Sequence, residues 1–237
     1  MTEAMPTPPE MPPAAASESN PARRAQFLAT EHWSLLATRA MSWNESFART
    51  GMFLTSLSTA TVALALVGSA TGFGSEFIVF ALIVLAVTLF LGVATFVRLV
   101  QVNNEDLYWV AGMNRLRGQY ARLEPGIEDE FVTGISLDAP GFAQTYAAIN
   151  VTGTSFLHAF VTTPGMVGTV NSVLAGVIAG LLTMQAMPMG PAIGIGLVIM
   201  VGAAVLCVTY ASRDAQAYAG RMIRFIGDPT APQEDRG

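Results

Sequence analysis

A chain of 237 residues that is 52% hydrophobic and only 12% charged, with mean hydropathy +0.48, is not an ordinary soluble domain; such domains carry about 25% charged residues. The net charge of −5 argues against nucleic acid as a partner. The one cysteine, Cys207, excludes an internal disulfide and any multi-thiolate metal site.

Residues 1–20 hold five of the thirteen prolines and no basic residue. They lack the positive start and apolar core of a signal peptide and are expected to form a disordered cytoplasmic tail. Asn20-Pro21 reads as a helix start, with Asn as N-cap and Pro at the first helical position. An amphipathic helix is expected over 21–50, with Trp33, Leu36, Ala40, Trp43 and Phe47 recurring at spacings of three and four to form one apolar face. That face packs on other cytoplasmic helices or sits at the lipid headgroups. His32 beside Glu31 reads as an exposed helical residue.

The segment 51–97 predicts a first transmembrane hairpin, with spans Gly51–Thr71 and Phe77–Val97 joined by a Gly-rich turn. The first span carries Thr55, Ser56, Ser58, Thr59 and Thr61. Such hydroxyls bond back to their own helix or, with Thr55, Ser58 and Thr59 arranged around an axis of several subunits, line a pore. No breaker follows until Pro125, so the second helix is expected to continue through 98–124 into the cytoplasm. Val102, Asp106, Trp109, Met113, Leu116, Tyr120 and Leu123 follow a 4-3 pattern there, a coiled-coil-like seam with one acidic member. It pairs either with the Trp33–Phe47 face or with a neighbouring subunit.

The segment 125–165 reads as a cytoplasmic loop followed by a semi-apolar approach to the membrane. The acidic run Glu128-Asp129-Glu130 is a solvated loop on this reading, and Pro140, Gly141 and Gly153 argue against one continuous helix. His158 is assigned a structural or interfacial role. A second hairpin is expected over 166–212, with spans Met166–Met187 and Ala192–Ser212, followed by a cytoplasmic tail at 213–237. In the third span Gly168, Ser172, Gly176 and Gly180 repeat every four residues, a ridge that lets another helix approach closely. Gly194 and Gly202 are candidates for the facing surface. Asn171 is the one carboxamide deep in a span and is expected to bond across helices.

The stretches Trp33-Ser-Leu-Leu-Ala-Thr-Arg39, Trp43-Asn-Glu-Ser-Phe-Ala-Arg-Thr-Gly-Met-Phe-Leu54 and Tyr108-Trp-Val-Ala-Gly-Met-Asn-Arg-Leu-Arg117 resemble a family of uncharacterised small bacterial polytopic membrane proteins. The resemblance covers residues 33–117 and implies a membrane location without an activity. The order of approach helix, hairpin and cytoplasmic helix is also similar to that of two-span effector modules in bacterial nucleotide-signalling and defence systems, a likeness of arrangement that no motif carries.

All twelve basic residues are arginine, which points to a GC-rich, bacterial genome. Arg23, Arg24, Arg39 and Arg49 precede the first span; Arg98, Arg115, Arg117 and Arg122 lie between the second and third; Arg213, Arg221, Arg224 and Arg236 follow the fourth. The connections at 72–76 and 188–191 carry none. Basic loops stay inside, so both termini are expected in the cytoplasm of a bacterial inner membrane. The expected fold is an all-α membrane protein, four transmembrane helices in two hairpins with cytoplasmic amphipathic helices. No set of acids, bases, nucleophiles or metal ligands converges in the sequence, so no catalytic residue, cofactor or metal is assigned. The expected role is non-enzymatic: an oligomeric scaffold, accessory subunit or effector whose partners are the bilayer and itself or another membrane protein. A homo-oligomeric pore is the alternative.

Overall fold

The computed structural model of the protein describes residues 20–147 and 162–226. Among them every regular element is helical: α1 (Pro21–Thr71), α2 (Ser75–Leu123), a 3-10 turn (Ile127–Glu130), α3 (Ala139–Ala147), α4 (Thr163–Thr183) and α5 (Met189–Ile226). Four of them, α1, α2, α4 and α5, are long and apolar enough to cross a membrane, consistent with a multi-pass membrane protein. The expected N-terminal tail up to residue 19, the approach segment at 148–161 with His158, and residues 227–237 lie outside the described residues.

α1 is unbroken for 51 residues, about 76 Å at ~1.5 Å per residue. The expected approach helix and first span are therefore one rod, and Gly51 does not interrupt it. Its start is fixed by Asn20, whose side-chain oxygen accepts from the Ala22 N–H at 3.0 Å, with Pro21 pre-set for helical φ. It ends at Gly72, in the left-handed region at φ +64°, which turns the Phe73 N–H back to the Gly68 carbonyl at 3.1 Å. Phe73 is itself left-handed at φ +60°, a strained conformation for an aromatic residue. Its ring lies over Gly68, where a Cβ would collide with it, and meets Phe77 edge-on at 5.1 Å.

α2 runs 49 residues and stops at Leu123, because Pro125 forces the preceding Glu124 into extended backbone. α4 begins three residues earlier than the expected span. Thr162 caps it by accepting from the Gly165 N–H at 3.2 Å, and Pro164 sits in the first turn. α5 carries the helix on to Ile226 rather than ending near residue 213, since the run after Ser212 is rich in Ala and Arg and holds no proline, the single Gly220 being tolerated within it.

α1 and α2 pack antiparallel. Arg24 meets Gln119, Arg39 meets Asp106, Glu45 meets Arg98, and Phe53 lies against Gly92. α4 and α5 pack against each other in the same antiparallel sense, and α2 joins the two pairs by contacting α1, α4, α5, α3 and the 3-10 turn. The apolar core lies where α1, α2 and α4 meet, around Phe53, Leu85, Phe96, Leu99, Val167 and Leu174. Outward faces such as Val79, Phe90, Val198 and Leu206 stay apolar, as lipid-facing surface requires. Every described arginine lies toward one end of this assembly, called here the polar end.

Candidate functional site

The polar ends of α1 and α2 hold most of the charged and aromatic chemistry. On α2, Val102, Asp106, Met113 and Leu116 of the predicted seam are buried, while Trp109 and Tyr120 are half-buried. The seam faces α1 of the same chain: Arg39 grips Asp106 with two hydrogen bonds, Nε to Oδ1 at 2.6 Å and Nη2 to Oδ2 at 3.1 Å. The Trp43 indole N–H donates to the same carboxylate at 3.0 Å. A buried carboxylate is tolerable only when charge-paired and hydrogen-bonded in this way.

This requirement sets the phase of α1 and corrects the expected apolar face. The inward residues are His32, Leu35, Arg39, Ser42, Ser46, Thr50 and Phe53. Trp33 and Phe47 are instead 72% and 60% exposed, Leu36 and Ala40 also face outward, and only Trp43 of the predicted set turns in. Small hydroxyl residues occupy the interface because they let the rods approach. Ser46 and Thr50 satisfy their own hydroxyls on the carbonyls of Ser42 and Ser46, at 3.0 and 2.8 Å.

Below this seam Arg98 bridges Glu45 at 3.1 Å and Glu105 at 2.8 Å, and Arg49 adds to Glu45 at 2.8 Å. Hydrogen bonds from Arg98 and then Arg49 hold the Glu45 carboxyl down at about 2, and hydrogen bonds to Glu45 and then Glu105 push the Arg98 guanidinium up. Asn104 donates to Asp214 at 2.6 Å and so ties α2 to α5.

Asn114 is wholly buried and pins the segment after α2. Its Nδ2 donates to the Ser136 carbonyl at 3.1 Å, and its Oδ1 accepts from Arg117 Nη1 at 3.0 Å. Thr145 Oγ1 lies 3.2 Å from the same Oδ1 and accepts from the Gly134 N–H at 3.0 Å. Sequence reasoning missed this hub. Its signal was a carboxamide placed directly after the apolar run Trp109–Met113. His32, expected to be exposed, is half-buried and stacks on Tyr120 with ring centres 6.1 Å apart. Burial and then the nearby Arg117 charge lower its pKa, and burial raises that of Tyr120. The Trp109 indole nitrogen is buried without a partner, with its ring edge-on to Tyr108 at 5.6 Å. The acidic run at 128–130 forms the exposed 3-10 turn.

The glycine ridge of α4 faces α5 of the same chain. A Cβ on Gly176 would lie 2.7 Å from the Gly196 carbonyl oxygen and 2.8 Å from Met200 Cβ; one on Gly168 would press on Phe96 and Cys207. Gly180 lies beside the Ala192 carbonyl, and the buried Ser172 hydroxyl bonds back to Gly168 at 2.8 Å. The facing glycine is Gly196, whereas Gly194 and Gly202 open onto free space. Asn171 points the other way, onto the Gly92 backbone beside Phe53, and neither of its side-chain polar atoms has a hydrogen-bond partner. The cross-helix bond expected of it is not made.

Thr55, Ser58 and Thr59 face outward from α1. Ser58 and Thr59 bond back to the carbonyls of Leu54 and Thr55, both at 2.9 Å. Thr55 and Thr59 also line a shallow groove of about 460 Å³ against Val84, Val87 and Leu91 of α2. Among the described residues no three His, Cys, Asp or Glu side chains converge as a metal site would require. What the polar end offers chemically is recognition, through paired charges, aromatic rings and an apolar outer face. No protein-family model matches the chain, nor does any curated protein or solved structure.

Proposed function

We propose that the chain is a non-enzymatic integral membrane protein of a bacterial inner membrane, acting as an oligomeric scaffold, accessory subunit or effector of a larger membrane system. On this reading its four spans form two helical hairpins with both termini in the cytoplasm, the orientation that the arginine distribution favours. The observation that carries the proposal is the outward face of α1 at the polar end, where Phe27, Trp33, Met41 and Phe47 are 68%, 72%, 71% and 60% exposed. Trp33 precedes Gly51 by eighteen residues, about 27 Å along a continuous helix at ~1.5 Å per residue, too far for lipid headgroups to cover it. Large apolar side chains held in water, as Phe27 and Trp33 are on this reading, mark a docking surface. Its occupant is a second copy of the chain or another membrane protein.

The test is the mass of the complex extracted from its native membrane, for the wild type and for a Trp33→Glu/Phe47→Glu variant. The wild type is expected to run as an assembly and the variant as a single chain. A wild-type protein that runs alone, with no stoichiometric companion, defeats the reading. A reporter fused after Gly237 is expected to be active only in the cytoplasm.

A homo-oligomeric pore is the second reading, favoured by the outward hydroxyls of Thr55, Ser58 and Thr59. It requires ion flux through liposomes holding the purified protein, reduced by Thr59→Val. Sealed liposomes across a range of voltage and pH count against it.

A further inference from the structure

Three arginines of the polar end are partly buried among those whose burial is described, Arg39, Arg98 and Arg117, and the first two are balanced by carboxylates. Arg39 is neutralised by Asp106, and Arg49 and Arg98 by Glu45 and Glu105. Arg117 is the exception. It is half-buried, donates one hydrogen bond to the neutral Asn114, and is paired with no carboxylate among the described residues. The charge that acts on it is a like one, Arg39, and burial together with that charge lowers its pKa. A guanidinium nonetheless stays protonated in a protein, so its remaining N–H donors, which meet no acceptor among the described residues, are open to an anion from solvent. Its surroundings add donors. The His32 ring from α1 stacks on Tyr120, which follows Arg117 by one turn on the same face of α2.

We propose that Arg117, with His32 and Tyr120, forms a binding site for the oxyanion group, phosphoryl or carboxylate, of a small soluble molecule. Two parallel N–H···O bonds from a guanidinium fork fit such a group better than any neutral ligand. The Tyr120 hydroxyl can add a further donor, and the anion compensates the repulsion between Arg117 and Arg39. Arg117 lies twenty residues past Val97, about 30 Å along α2 at ~1.5 Å per residue, so headgroups of the bilayer that α2 is long enough to cross do not reach it.

The test is thermal unfolding of the full chain in phosphatidylcholine nanodiscs, with inorganic phosphate titrated against chloride at constant ionic strength. The wild type is expected to show a saturable rise in Tm, retained by Arg115→Gln and lost in Arg117→Gln. In a His158→Gln background His32 is the one imidazole, and its NMR signal is expected to move along the same titration, which reads occupancy without altering Arg117. An Arg117→Gln protein that folds and keeps the full rise overturns the proposal, as does a wild type with neither response. Nanodiscs containing phosphatidylglycerol are expected to give the same phosphate titration. A rise obtained from that lipid alone, with no added phosphate, assigns the group to headgroups and overturns the soluble ligand.

Discussion

Asn171 and Asp106 are both polar and both buried, and they differ in what surrounds them. Asp106 collects a bidentate arginine and an indole N–H, so its burial is compensated and its loss would strand Arg39 and Trp43. Asn171 collects nothing: its amide rests on the Gly92 backbone and the Phe53 ring, in the zone where α1, α2 and α4 are most apolar. A buried polar group without partners costs about 1–3 kcal/mol, and replacing it by an apolar group of similar shape removes that cost. Asn171→Leu is therefore expected to raise Tm, with a gain of about 1 kcal/mol once imperfect shape matching is allowed for. Thermal unfolding in one detergent measures it. A lowered Tm would mean that the carboxamide makes a bond in the assembled protein that the single chain lacks. The same residue shows a limit of sequence reasoning. A lone Asn in a span announces itself by type, but which helix it meets depends on the rotation of α4, which the ridge glycines determine by facing α5.

Rotation is what separates the legible from the illegible among the elements. Helix existence, the start of α1 at Asn20-Pro21 and the end of α2 at Leu123 followed from caps, breakers and uninterrupted apolar length. The inward face of α1 did not. Periodicity picks out the largest apolar side chains, Trp33, Leu36 and Phe47, yet the buried face is built from Ser42, Ser46 and Thr50 around the Arg39–Asp106 pair. Close approach of two rods favours small residues, and an internal charge pair outweighs an aromatic stripe. α4 and α5 follow the same rule. The ridge Gly168–Gly180 was readable as a spacing, whereas its counterpart was Gly196 rather than Gly194, since two residues on a helix turn about 200° and decide whether a glycine meets a helix or empty space. A pair of substitutions tests this. Gly176→Ile drives a side chain into the Gly196 carbonyl and Met200 and is expected to destabilise by at least the ~1–3 kcal/mol typical of overpacking. Gly194→Ala meets nothing and is expected to leave Tm unchanged or slightly raised, because Ala favours helix over Gly. Equal effects of the two on Tm would contradict the register of α4 on α5.

Across the whole molecule two kinds of force divide the long rods. The apolar half is held by side-chain packing around Phe53, Leu85 and Phe96, a cluster with no carboxyl or imidazole member. The polar half is held by ion pairs, a stacked imidazole and hydrogen bonds. Acid should therefore act on one end only. His32 has a lowered pKa in the folded chain, so the unfolded state binds more protons just below its ordinary value of 6.5; the stability it contributes is complete above that pH and is lost as the pH falls below it. Glu45 is held down to about 2 from an ordinary 4.5, so its contribution is complete above 4.5 and declines between there and about 2. Its side chain is more than a third exposed, which limits that second step to less than about 1 kcal/mol. Lowering the pH from 7.5 to 4 is expected to speed amide hydrogen exchange in residues 24–45 and 105–120, while residues 53–65 and 80–95 keep their protection after correction for intrinsic rates. His32→Phe preserves a ring against Tyr120 and should remove most of the change above pH 5; Glu45→Gln should remove the change below pH 4.5. Uniform deprotection along α1 would instead mean that the rod opens as one unit, with the polar end no weaker than the apolar one.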